Sequence, residues 1–454
     1  MAAPIFVPTD DIRARFSRAM SRMYRQEVPA YGALCDLVAD VNLRHLHGKD
    51  GALARITEER HGAIRLGTAR ELRFMRRLFA VMGMHPVGYY DLSVAGLPVH
   101  STAFRPVDAA ALEKNPFRVF TSLLRVDLLD ESIRNEATAV LDAREIFTPE
   151  VRLLVEKAEA SGGLSEADTA GFIREALETF RWHDEALVPH ALYQRLAAAH
   201  PLIADIVSFK GPHINHLTPR TLDIDAIQRL MPEHGMTPKE AIEGPPRRDV
   251  PILLRQTSFK ALVEAISFPA AGGTRVAGKH TARFGEIEQR GAALTPKGRA
   301  LYDALLTEAR ALSHGKLTHE AQNILAERFA TFPDDHTAMR EQGLAYFEYV
   351  PTGRRGRAVR DGQIPTTADA LVRTGLATAR PIVYEDFLPV SAAGIFRSNL
   401  GQGGNGAFQA NPNKAAFEEA LGAPVLDEFA LYAQMERASI KRCLETLLPP
   451  VRAA

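Results

Sequence analysis

The chain has 454 residues, 46% hydrophobic and 24% charged, with 55 Lys and Arg against 55 Asp and Glu. Composition this close to the globular average excludes wholesale disorder and collagen-like repeats. A formal net charge of zero removes the general electrostatic reason to expect nucleic acid or an anionic membrane surface as a partner. By length the chain corresponds to roughly three domain-equivalents, or to one composite domain with insertions. The two cysteines, Cys35 and Cys443, stand far apart and outside any CxxC or Cys/His cluster. A disulfide framework and a thiolate zinc site are therefore not expected. The opening MAAPIFVPTDDIRARF lacks a basic region followed by an apolar run, and no later segment approaches the ~20 apolar residues of a membrane helix. The expected compartment is the cytoplasm.

From Asp10 to about His47, Ile12, Phe16, Met20, Met23 and Tyr24 recur at helical spacing behind an acidic cap, which predicts one or two packed helices. The stretch Thr68 to Met84 pairs an N-cap threonine with Glu71 three residues on, then sets Leu72, Met75, Leu78 and Phe79 on one face, so a helix with a basic outer face is expected. Gly88 to Val94 and Val99 to Pro106, separated by Ala95-Gly96, read as two strands, and Phe117 to Val126 as a third. Between about Asp130 and Ala204 helical periodicity takes over, with cap-like Ser165 and Asp168. Strand-like text returns at Ile214 to Thr218, Val250 to Gln256 and Thr281 to Gln289, with a short helix at Ile224 to Met231. After helices near 295–330, Gly343 to Pro351 and Pro381 to Ser391 read as strands, and the tail from Lys414 as mostly helix. The predicted organisation is helices over 1–50, a first part of the core over 51–129, a helical insertion over 130–204, a second part of the core over 205–410, and terminal helices over 411–454. The fold class is α+β, with a curved, mostly antiparallel sheet.

No HExxH, Walker A loop or GxSxG elbow is present. Gly401 to Gly406 formally fits GxGxxG, but Pro412 follows and no compact βαβ unit surrounds it, so a loop near a site entrance is the better reading. His183 and His190 are expected on one helix with Trp182, covering its surface. Three clusters remain. In EERHGAIR, His61 and Arg65 would share a strand face. In GPHINHLTPR, His213 and His216 are an odd number apart and would face opposite sides of a strand, so one of them stands apart from any shared metal. In FGEIEQRG, Glu286, Glu288 and Arg290 share a face, whose bland reading is a solvated row of charge pairs. Two imidazoles and one carboxylate on separate strands would form the facial triad that suits Fe(II), with open positions for substrate and dioxygen. Residue types alone carry the argument no further than a non-haem metal enzyme.

The text of these clusters resembles a known family. FGEIEQRG is similar to the strand that carries the carboxylate ligand of 4-hydroxyphenylpyruvate dioxygenase, and HINHLTPRTLDID to a histidine-bearing strand of the vicinal-oxygen-chelate superfamily, in the register that makes His216 the ligand. The wider set ERHGAIR, GYYDL, PVHSTAFRP, GPHINHLTPR, FGEIEQRG and FLPVSAAGIF resembles the 2-oxoadipate dioxygenase/decarboxylase family, from about residue 55 to residue 405. The resemblance implies a vicinal-oxygen-chelate-like fold and His61, His216 and Glu286 as ligands of Fe(II). It also implies that Arg65 binds a substrate carboxylate, with His61, His216, Val390 and Ser391 contacting the substrate. Glu288 is a rival ligand that could instead pair with Arg290, and His213 sits outside the motif. The implied reaction converts 2-oxoadipate and O2 to 2-hydroxyglutarate and CO2, in lysine breakdown. Two other classes stay open: a redox-silent lyase, isomerase or hydrolase built on the same triad, and a non-catalytic 2-oxo acid binding protein. The Gly401 to Gly406 loop is the expected lid.

Overall fold

A computed structural model describes residues 5–46, 55–313, 319–353, 367–388 and 412–447. Eleven strands occur among them: β1 (Arg60–Leu66), β2 (His85–Asp91), β3 (Val99–Arg105), β4 (Arg118–Leu124), β5 (His216–Pro219), β6 (Leu254–Ser258), β7 (Val263–Pro269), β8 (Arg275–Thr281), β9 (Phe284–Arg290), β10 (Phe347–Pro351) and β11 (Ala377–Pro381). The chain divides into two units. Met1–Lys239, Gln256–Glu288 and Asp386–Leu426 make the first, and Glu240–Arg255, Gln289–Glu385 and Asp427–Ala454 the second.

The first unit is built on a curled seven-stranded sheet in the order β2-β3-β4-β1-β5-β9-β6. β1 pairs in parallel with β4 and antiparallel with β5, β5 pairs in parallel with β9, and β3 is antiparallel to both β2 and β4. The α+β class and the predominance of antiparallel pairs are as expected. β3 and β4 are buried along their whole length, because helices cover both faces of the sheet and the usual alternation of apolar and polar positions is lost. On one face the helices Thr9–Glu27, Ala69–Ala80 and Glu166–Phe180 bring Phe16, Phe79 and Phe180 together, with Phe16 against Phe117 and Phe79 against Phe104. On the other, Ala63, Ala103 and Phe120 pack with Ile133, Leu196 and Ile203 from the helices Glu131–Ala143, His190–Ala199 and Pro201–Ser208.

Local chemistry explains several boundaries. Thr68 Oγ1 accepts from Glu71 N, and Glu71 Oε2 accepts from Thr68 N, which completes the predicted capping box. Both Glu71 carboxylate oxygens also receive the buried Arg144 guanidinium at 2.9 Å. The first two helices run Thr9–Glu27 and Pro29–Leu46, and Ser165 caps the helix after it, as expected. Two expectations are corrected, and one hairpin was not foreseen. Trp182 and His183 lie in an extended segment after the helix ending at Phe180, whereas His190 begins a separate helix behind Pro189. Beyond Pro381 the chain forms no strand through residue 388: Ile382 N bonds Tyr346 O and Val383 makes only an isolated bridge to Ala292. The exposed hairpin β7–β8, turning at Gly272 and Gly273 with φ of 70° and 74°, was hidden by its Ala- and Gly-rich text.

In the second unit, β10 and β11 form an antiparallel pair against the helix Glu428–Leu447, where Ser439 Oγ accepts from Tyr349 N at 3.0 Å and Cys443 Sγ donates to Tyr349 O. Cys35 and Cys443 are both buried and unlinked. No described helix is long and apolar enough to cross a membrane.

His200 caps the helix Pro201–Ser208 through Nδ1, which accepts from Leu202 N at 3.1 Å. Burial, and then the nearby Arg65 charge, push its imidazole down to about 4. An imidazole that protonates more readily in the unfolded chain stabilises the fold fully above about pH 6.5, and that contribution is lost as pH falls toward 4, by up to roughly 3 kcal/mol. His200→Asn keeps a capping oxygen and removes the titration. Urea midpoints of the two proteins should therefore converge on acidification across this window, and parallel curves would show that His200 does not set acid stability.

Candidate metal centre

The face of β1 that carries His61 and Arg65 also carries their cross-strand partners. Register places His61 opposite Thr218 and Ala63 opposite His216 on β5, and His61 opposite Arg118 on β4. β9 then brings Glu286 and Glu288 to the same face, two residues apart. The strands thus converge His61, His216 and Glu286, with one candidate ligand atom from each lying within 4.8 Å of the others, all three side chains fully buried. His61 Nε2 is 2.9 Å from Glu286 Oε1, and His216 Nε2 is 3.7 Å from the same oxygen. Thr218 Oγ1 and Gln256 Nε2 each donate to Glu286 Oε1 at 3.1 Å. Neither the chain composition nor any spacing motif pointed to these two donors.

Four buried polar atoms on these three side chains have no hydrogen-bond partner among the described residues: His61 Nδ1, His216 Nδ1, His216 Nε2 and Glu286 Oε2. Leaving such atoms unsatisfied costs ~1–3 kcal/mol each unless something else binds them. Burial, first, holds His216 down to about 4 against the raising field of Glu286, so its imidazole is neutral at neutral pH with a lone pair to offer. Burial alone would raise the Glu286 carboxyl, but His216, His61 and Lys239 outweigh it and hold the group below its ordinary value. Two imidazoles and a carboxylate, with orphaned atoms on both kinds of side chain, fit a divalent transition metal, and that donor set is the one non-haem Fe(II) enzymes use.

Glu288 does not join the ligands. Its Oε2 lies 3.1 Å from His61 Nδ1, on the far side of the ring from Glu286, and accepts from Arg118 NH2 at 2.7 Å. Arg118 in turn stacks 4.5 Å from the Phe387 ring centre. A carboxylate behind a ligating imidazole fixes the ring and its tautomer, leaving Nε2 to face a metal. The expected pairing of Glu288 with Arg290 is corrected: Arg290 NH1 bonds Glu385 Oε2 at 2.5 Å. His213 precedes the strand, which begins at His216, and its Nε2 lies near Asp205 and Asn215 instead. Arg65 NH1 donates to Asp205 Oδ2 at 2.6 Å. Val390, Ser391 and the Gly401 to Gly406 segment lie outside the described residues.

A curled mixed sheet holding a buried two-histidine, one-carboxylate group offers a candidate mononuclear metal site of the kind found in non-haem enzymes. Residues 16–399 match the profile of the 2-oxoadipate dioxygenase/decarboxylase family, and the chain belongs to that family. It is 57% identical to the 2-oxoadipate dioxygenase/decarboxylase of Escherichia coli K12 over 450 residues, covering 96% of this chain and 98% of the relative. It is 55% identical to the enzyme of that name from Pseudomonas putida over 462 residues, covering 98% and 99%. The crystal structure of hydroxyglutarate synthase from Pseudomonas putida in complex with 2-oxoadipate superposes with a TM-score of 0.87 at 52% identity, covering 97% of this chain and 99% of that one.

Proposed function

We propose that this chain is an Fe(II)-dependent dioxygenase and decarboxylase that converts 2-oxoadipate and O2 to 2-hydroxyglutarate and CO2, within lysine breakdown. The observation that carries the reading is the buried His61, His216 and Glu286 group with its orphaned ligand atoms, in a chain belonging to this family. The reaction balances without an external reductant, because the substrate supplies all four electrons that dioxygen takes up, two in oxidative decarboxylation and two in hydroxylation of the carbon beside the new carboxylate. Fe(II) held by the three side chains would supply dioxygen activation and a chelation site for the 2-oxo acid.

The remaining work falls to the chain. Thr218 and Gln256 hold one oxygen of Glu286, which leaves the other oriented for a ligand. Glu288, held by Arg118, places a carboxylate oxygen 3.1 Å from His61 Nδ1, behind the ring. Arg65, on the same strand face as His61, offers a planar fork to the remote carboxylate of a dicarboxylic substrate. Val390 and Ser391 are assigned to substrate contact by the family pattern. Helices on both faces of the sheet keep bulk water from the cluster, which strengthens each of these polar contacts.

Arg65→Lys keeps the charge but loses the fork. It is expected to raise KM for 2-oxoadipate about tenfold, or ~1.4 kcal/mol, with kcat within a few fold. Unchanged steady-state kinetics would remove Arg65 from the substrate. The reaction itself is tested by oxygen uptake in anaerobically Fe(II)-reconstituted protein given 2-oxoadipate, with products identified by mass spectrometry. One O2 consumed per CO2 and 2-hydroxyglutarate supports the reading. No uptake by protein shown to hold iron would turn it toward a redox-silent reaction.

A further inference from the structure

We propose that Asp205 is a positioning residue that sets the length of substrate the site accepts, by clamping the Arg65 guanidinium at one place along β1. The inference rests on the reading of Arg65 as the carboxylate anchor. His61 and Arg65 are four residues apart on one strand face, so their backbones are separated by about 13 Å of strand. An arginine side chain is long enough to lean toward the metal cluster or away from it, and what holds its head decides the span left for substrate.

The holder is specific. Asp205, on the helix Pro201–Ser208, takes Arg65 NH1 at 2.6 Å, with both side chains nearly fully buried. Asp205 is itself held from separate segments. His280 Nε2 donates to its Oδ1 at 2.9 Å from the hairpin strand β8, His213 Nε2 lies 3.4 Å from the same oxygen, and Asn215 Nδ2 approaches Oδ2 at 3.5 Å. The Tyr193 hydroxyl bonds His280 Nδ1 at 2.9 Å, so the tautomer that donates to Asp205 is enforced from behind. Asp205 thus has little freedom, and its Oδ2 holds the Arg65 guanidinium through NH1. The two charges also balance. A neutral pair attracts a distant anion weakly, so recognition of the substrate's far carboxylate depends on where the fork stands rather than on net charge.

The test compares wild type with Asp205→Asn and Asp205→Glu, each Fe(II)-loaded, on 2-oxoglutarate, 2-oxoadipate and 2-oxopimelate, and on 2-oxohexanoate, which lacks the remote carboxylate. One methylene in a well-fitted pocket is worth roughly 10–200-fold in kcat/KM. Both variants should lower the preference for the six-carbon diacid over its neighbours by about tenfold or more, through KM and through weaker anaerobic binding by calorimetry. Bound metal and turnover of 2-oxohexanoate should move less than about threefold, well below that range. Asp205→Glu retains the charge and carries the test if the asparagine variant does not accumulate folded. An unchanged length profile overturns the proposal, as does a parallel loss on 2-oxohexanoate with loss of metal, which is what a merely structural role produces. If wild type shows no preference for the six-carbon diacid, the underlying reading of the reaction fails and takes the proposal with it. If Arg65→Ala abolishes the preference while both Asp205 variants retain it, the reading stands and the proposal alone falls.

Discussion

His216→Ala is expected to yield a folded protein that binds no stoichiometric iron and does not consume oxygen with 2-oxoadipate, whereas His213→Ala keeps its metal. Both ring nitrogens of His216 are buried without a hydrogen-bond partner among the described residues. The side chain therefore contributes little to the metal-free fold beyond its packing against Phe284, and its removal falls on the metal. The loss should exceed the roughly 10–100-fold that follows from disturbing residues behind a ligand. His213 touches Asp205, Asn215 and Trp182 instead, so its removal should act on the substrate's far end. Elemental analysis after anaerobic loading, with thermal melts of the metal-free proteins, separates the two. Metal retained by His216→Ala and lost by His213→Ala would reverse the register on which the site is built.

Glu288→Gln should weaken metal binding about 10–100-fold and also destabilise the fold. The glutamate balances Arg118, whose side chain is fully buried, and it stands behind His61. Removing one partner of a buried ion pair costs about 3–5 kcal/mol, while replacing both by apolar residues of similar size is often neutral. A double variant, Arg118→Met with Glu288→Leu, should accordingly recover much of the urea midpoint without recovering metal affinity. Chelator competition and urea titration on the single and double variants measure the two effects independently. Equal recovery of both would mean that Glu288 acts on the metal only through general stability.

Much of this architecture was legible because its signals are local. The Thr68 and Glu71 capping box, the Ser165 cap and the apolar stripe from Ile12 to Tyr24 each involve residues within a few turns of one another. The ligand trio was legible only through the text of its strands, since positions 61, 216 and 286 share no spacing. What stayed hidden is what the sheet assembles at a distance. Arg118 faces His61 through the parallel register of β4 on β1, and nothing near either residue in sequence announces it. Thr218, Gln256 and Asp205 likewise take their meaning from partners on other strands. Glu288 and Arg290 misled for the opposite reason. Their two-residue spacing suggested a local pair, but each is buried and finds a stronger partner elsewhere, Arg118 for one and Glu385 for the other. The strand itself was taken to start at Ile214, two residues before His216, where the ladder begins.

The three candidate ligands stand on β1, β5 and β9, neighbours in the sheet but drawn from widely separated stretches of chain. During synthesis, a nascent chain that has released both histidines still lacks its carboxylate, and holds two imidazoles without the sheet that aims them. The candidate metal site is therefore complete only once β9 has docked beside β5.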